Sequence, residues 1–124
     1  MKYACFGYFD QEKMDALSKG ELDKVMKECE PYLKGLYGSA EFLMDIGVKT
    51  ESVTLGHHDG RIERVDGNTK TERGKKIGGV FIIEAKNMEE AIEAAKRHPA
   101  LGNVSGADLG WSVEIREIYT YVIK

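Results

Sequence analysis

Two short segments, Tyr3 to Phe9 and Val80 to Ala85, are aromatic or apolar on both strand parities. Successive side chains of a strand point to opposite sheet faces, so a segment with no polar alternation must be covered on both. A chain of 124 residues has one hydrophobic core to offer, and a single domain over 1–124 is expected. The two amphipathic helices read below cover one face. The other face calls for a partner, and a second copy of the chain, forming a homodimer, is the expected one.

Charged residues break the first strand from Asp10 to Asp15. Ser18-Lys19-Gly20-Glu21 then has the form of a capping box, in which the serine accepts the Glu21 amide and the glutamate reaches back. Leu22, Val25, Met26, Cys29, Leu33 and Leu36 follow at spacings of three, four and seven, one stripe of a helix over 18–38. Pro31 lies inside that pattern and predicts a kink or break near Glu30. Phe42 to Met44 predicts a short strand. Val53, Leu55 and His57 alternate with Ser52, Thr54 and Gly56, which predicts a half-buried strand with His57 facing inward. Asp59-Gly60 is a hairpin turn, and Arg61 to Val65 the return strand.

A polar, glycine-containing stretch runs from Asp66 to Gly79 and carries Lys70, Arg73, Lys75 and Lys76. Its part Asn68 to Lys76 has little apolar surface to offset ordering, and is expected to be a mobile lid bordering a cleft. Asn87 starts a second helix with Met88, Ala91, Ile92 and Ala95 inward, ending at His98 before Pro99. A glycine-rich loop and a half-exposed strand from Trp111 to Arg116 follow, and Tyr119 to Ile123 continues as β-type sequence. The order β, α, β, hairpin, β, α, β predicts an α+β fold, an antiparallel sheet with two helices on one face.

Composition narrows the function. Eighteen basic against 21 acidic residues leave a net charge of −3, with no basic excess for neutralising phosphates, so no nucleic-acid partner is expected. No apolar run approaches bilayer length and no leader pattern opens the chain, so no membrane partner and a cytoplasmic location are expected. Cys5 and Cys29 lack metal-ligand spacing and read as small buried hydrophobes. No Walker-type loop or serine-nucleophile signature is present, and neither cofactor nor metal is expected.

The Lys2-Tyr3 opening strand, Ser18-x-x-Glu21, Asp66-Gly67 with a polar loop ending at Gly78-Gly79, the helix closed by Pro99 and the strand Trp111-Ser112-Val113-Glu114-Ile115-Arg116 together resemble the YCII-related family, specifically its DGPF-type branch. The resemblance covers nearly the whole chain. It implies a ferredoxin-like fold whose sheets join two copies into a dimeric α/β barrel. Asp-Gly-Pro-Phe stands here as Asp66-Gly67-Asn68-Thr69, and the loop behind it is about one residue longer. Some relatives carry a His and an Asp around the first helix as a proposed catalytic pair; helix 18–38 here contains no histidine.

Three residues carry the candidate chemistry. His98, at a helix C-terminus, would be favoured in its protonated form and suited to acid–base work. Asp66 would orient a histidine or bind a ligand hydroxyl, unless it only caps its own turn. His57 would line the cleft from the hairpin, and adjacent His58 points the other way, so the two do not share a metal. Two readings follow. One is a small-molecule-binding homodimer with its cleft between sheet and helices. The alternative is a cofactor-free enzyme of lyase- or hydrolase-like type, with His98 or His57 as base and Asp66 as orienter.

Overall fold

A computed structural model describes residues 1–67 and 74–124. In chain order the elements are β1 (Lys2–Phe9), α1 (Gln11–Asp15), α2 (Lys19–Tyr37), β2 (Phe42–Gly47), β3 (Val53–His58), β4 (Arg61–Asp66), β5 (Lys76–Glu84), α3 (Met88–Ala95), α4 (Pro99–Gly102), α5 (Ser105–Asp108) and β6 (Ser112–Glu117). Four strands form an antiparallel sheet in the order β2-β5-β1-β6. Counting only these four, the order is second, third, first, fourth, the ferredoxin-like arrangement of a split βαβ. β3 and β4 form a separate two-stranded ribbon.

Register assigns the faces. Tyr3, Cys5, Phe81, Ile83, Phe42 and Ile115 occupy directly opposed positions and so share one face. That face receives Leu36 of α2 and Ala91, Ala94 and Ala95 of α3 to form the core. The alanines bring α3 close to the sheet and lose no side-chain entropy. Ala4, Phe6, Val80, Ile82, Met44 and Ile46 lie on the opposite face, which no helix among the described residues covers: Ile46 is 46 % exposed and Met44 37 %, while Ile82 is buried among its neighbours. The two-sided apolar strands therefore do have one face packed and one open.

The capping box forms as read: Glu21 N–H donates to Ser18 Oγ at 3.1 Å and Ser18 N–H to Glu21 Oε1 at 3.0 Å. α2 buries Val25, Cys29 and Leu36, whereas Met26 is exposed. Helix α2 is unbroken through Pro31. The expected break does not occur because packing of Cys29 and Leu36 on either side of the proline outweighs one missing backbone bond. Asp10 to Asp15 is not merely a break: Asp10 caps α1 by accepting the Lys13 amide. The stripe of α3 is shifted, with Ala94 buried and Met88 39 % exposed. The tail from Tyr119 onward is not a strand; Tyr119 is 95 % and Val122 93 % exposed. Both cysteines are buried and unpaired.

Gly78 and Gly79 lie inside β5, where the pairing with β1 shifts between Gly7 and Tyr8, so they serve as a bulge. A Cβ at Gly79 would stand 2.7 Å from the Ile46 carbonyl oxygen, which explains why a glycine is needed there. The Asp59-Gly60 hairpin forms with positive φ at both residues, 49° and 75°. Its strands, however, are exposed along their full length. Half-burial of Val53, Leu55 and His57 is thus not observed: the alternation has the right period, but the ribbon leaves the sheet beyond Gly47 and has no core to face.

Candidate functional site

His98 is built into a corner between two helices and not into a helix C-terminus. α3 finishes at Ala95 with Lys96 as its C-cap, and His98, extended at φ −66° and ψ 141°, is the N-cap of α4. Pro99 follows at the first helical position, where a missing amide costs nothing. The Ala100 amide donates to His98 Nδ1 at 3.0 Å. The imidazole lies flat on Phe81, with centroids 4.6 Å apart and planes 2° from parallel. Burial lowers its pKa below 6.5, and the Asp45 carboxylate opposes that shift without cancelling it. The expectation of a helix C-terminus favouring the imidazolium is therefore corrected: the ring sits at a helix start, desolvated and neutral.

Asp45 is the second member. The row across the sheet at this level reads Asp45, Phe81, Cys5, Ile115, so one carboxylate shares the helix-side face with three apolar side chains. Tyr37, the last residue of α2, donates its phenolic hydrogen to Asp45 Oδ2. That bond, with burial and the carboxylate charge behind it, pushes the Tyr37 phenol up to about 12. Tyr37 also packs on Phe42 at 4.9 Å. Beside them Arg97 Nη1 donates to Glu41 Oε2 at 2.8 Å, tying the end of α3 to the start of β2. A hydrogen bond from its own backbone amide, and then the bond and charge of Arg97, hold the Glu41 carboxyl below its usual range.

The chemistry of the group follows from its bonds. With Nδ1 accepting from a backbone amide, the neutral imidazole carries its proton on Nε2. Nε2 makes no hydrogen bond among the described residues and is not a sealed atom, so it is a donor available to a ligand. Asp45 is near enough for its charge to act on the imidazole, while Phe81 lies under the His98 ring and Phe42 against Tyr37. The corner thus offers one donor and one acceptor on an aromatic base.

The other two sequence candidates lie elsewhere. His57 and Asp66 are both exposed on the ribbon, His57 opposite Ile62 and Asp66 opposite Val53. They share a ribbon face but stand four register pairs apart, roughly 13 Å. Asp66 pairs with Arg64 Nε at 2.7 Å. No hydrogen bond or ion pair among the described residues joins His98, Asp66 and His57. His57 does not face inward, because the ribbon has no inner side. Of the expected lid, residues 68–73 lie outside the described residues, and Lys76 is a buried member of β5. Its neighbour Lys75 reaches Ser112 Oγ at 3.5 Å. Pro99 does not open an irregular loop: α4 and α5 fill it, with Gly106 beneath Trp111.

Among the described residues no three His, Cys, Asp or Glu are gathered as metal ligands, and no helix is long and apolar enough to cross a membrane. A shallow depression of about 750 Å³ runs beside Asp23, Lys24, Met26 and Lys27, but every residue lining it belongs to α2. Nothing from a second element converges there, which sets it apart from the His98 corner.

An antiparallel sheet in ferredoxin-like order, helices on one face and a polar group at their seam define an α+β domain with a corner site. The chain belongs to the YCII-related domain family, whose model matches residues 1–118. A comparison with curated proteins finds no match.

Proposed function

We propose that the protein is a small-molecule-binding homodimer of the DGPF-type branch, with its ligand held at the corner formed by Tyr37, Asp45 and His98. The observation that carries this is the bond from the Ala100 amide to His98 Nδ1. It occupies the lone pair a general base would use and leaves Nε2–H without a partner among the described residues, which suits recognition better than proton abstraction. The matching ligand presents a carbonyl acceptor next to an O–H or N–H donor, as a hydroxy ketone or a lactam does. The enzymatic alternative, with His98 or His57 as base, needs Asp66 beside one of them, and the ribbon register holds Asp66 four pairs from His57.

The dimer reading rests on the open sheet face, where Phe6, Val80, Met44 and Ile46 have no covering helix. Two such faces laid together would make a barrel-like assembly. Membership of the DGPF-type branch is supported by the hairpin that ends in Asp66-Gly67, with Gly67 at φ 112°. Buried unpaired thiols at Cys5 and Cys29 suit a cytoplasmic setting.

Titration with acetoin and 2-pyrrolidone, followed through the His98 imidazole resonances, tests the binding site. Saturable shifts in the native protein that vanish in Asp45→Ala are expected. Shifts that persist unchanged in Asp45→Ala, or none at all with any ligand of this class, would remove the corner from consideration.

A further inference from the structure

The β3–β4 ribbon is a construction that a lone molecule does not explain. A two-stranded hairpin by itself is marginally stable in water, yet this one runs six residues a strand with every residue exposed. Register places Val53, Leu55, His57, Ile62, Arg64 and Asp66 on one of its faces. Val53, Leu55 and Ile62 are 53 %, 66 % and 62 % exposed. A second apolar segment is equally uncovered, the tail with Tyr119, Val122 and Ile123.

Area shows why these two patches matter to a dimer. A standard interface takes about 800 Å² from each partner, a little over half of it apolar, hence roughly 450 Å². Partly exposed Met44, Ile46, Ile77, Phe6, Tyr8 and Val80 offer roughly 300 Å² on the open sheet face, taking ~100 Å² for an aliphatic side chain and ~200 Å² for an aromatic one. The sheet face alone falls short. The ribbon face adds roughly 200 Å² by the same measure, which brings the total to what a stable pair needs.

Topology supplies the match. β1 begins at Lys2 beside Glu84 and ends at Phe9 beside Lys76. The ribbon springs from the Lys76 end, where Val48 N–H still donates to the Gly78 carbonyl at 3.0 Å. The tail leaves from the opposite end, after Glu117 beside Tyr3. A two-fold axis between two open sheet faces, perpendicular to the strands, sets the ribbon end of one copy over the tail end of the other. A closed two-fold pair makes that contact twice.

We propose that the β3–β4 ribbon is an arm that clasps a second copy of this chain, laying Val53, Leu55 and Ile62 on the C-terminal tail of that copy. The inference rests on the homodimer reading above and adds the means by which the two copies hold together. It also gives the ribbon the covering surface that its own fold withholds.

Sedimentation equilibrium on the full chain tests it with three proteins: the native one, Leu55→Glu with Ile62→Glu, and one ending at Ile118. The native protein is expected to be a dimer at micromolar concentration. Each variant is expected to dissociate at least about 30-fold more readily, as loss of central interface contacts does, with an unchanged far-ultraviolet circular dichroism spectrum. A native dimer whose affinity is the same in both variants overturns the arm while leaving the sheet-to-sheet dimer standing. A native protein that is monomeric at 100 μM overturns both. As an independent measurement, Leu55→Cys and Val122→Cys proteins are mixed and treated with a short bismaleimide, Cys5 and Cys29 being buried. A cross-linked heterodimer supports the clasp, and its absence between dimeric proteins overturns it.

Discussion

Replacing His98 separates its structural work from its charge. Alanine there removes the N-cap of α4 and the stack on Phe81. A lost cap costs about 1 kcal/mol and a ring contact of this kind about 1 kcal/mol more, so His98→Ala should lose about 2 kcal/mol. For 124 residues this lowers the melting temperature by roughly 6–12 °C. Asparagine can still accept the Ala100 amide, so His98→Asn should recover about half of that loss. The pH dependence is the sharper reading. Burial holds the folded pKa of His98 below the unfolded value of 6.5. As pH falls through 6.5 the unfolded chain takes up the proton first, so stability drops, and the drop continues until the folded pKa is reached. Its slope from this one group is at most about 1.4 kcal/mol per pH unit. Protonation also puts a hydrogen on Nδ1 and ends its acceptance of the Ala100 amide. Urea unfolding at pH 7.5 and 5.5 measures the difference. The native protein should lose more stability across that interval than His98→Asn does. Equal losses in the two would refute the placement of a neutral, half-buried His98 at the head of α4.

Further outcomes follow from single contacts. Asp45→Asn removes the carboxylate whose hydrogen bond, ahead of burial and charge, raises the Tyr37 phenol to about 12, so phenolate absorbance should show that tyrosine titrating closer to 10. Gly106→Ala would place a methyl 2.6 Å from the Ala100 carbonyl oxygen and 3.0 Å from the Trp111 ring. Urea unfolding followed by tryptophan fluorescence should show a loss of about 1–3 kcal/mol. Pro31→Ala restores a backbone donor at an exposed position inside a continuous helix, and thermal unfolding should show a gain of about 2 kcal/mol. Ile83→Ala opens a cavity between sheet and helices at a fully buried position, and should cost about 2–5 kcal/mol in the same assay.

What the residues disclose unaided is the architecture, since period and capping are local. Val80 to Ala85 shows its strand by β-branching, Ser18 and Glu21 show where a helix begins, and Asp59-Gly60 shows a hairpin. Long-range placement is another matter. Alternation along Val53, Leu55 and His57 reports the strand period correctly but carries no information on whether a core lies beneath it. The end of the second helix is misread from sequence for a similar reason: a polar residue before proline closes one helix or opens the next, and here His98 does the latter. The site residues Tyr37 and Asp45 escape pattern reading because their partnership forms across elements. One signal for Asp45 exists: a lone carboxylate within Phe42-Leu43-Met44-Asp45-Ile46, an apolar strand that gains nothing in stability from it.

The site turns on which nitrogen of His98 bears the proton. Long-range ¹H–¹⁵N correlation on the uniformly labelled protein at pH 7.5, with His98 assigned by its absence in His98→Asn, reads this directly. A neutral ring protonated at Nε2, with Nδ1 in the chemical-shift range of an unprotonated acceptor, is the expected result. An imidazolium, or a neutral ring protonated at Nδ1, would contradict both the cap on α4 and the donor that the proposed ligand site depends on.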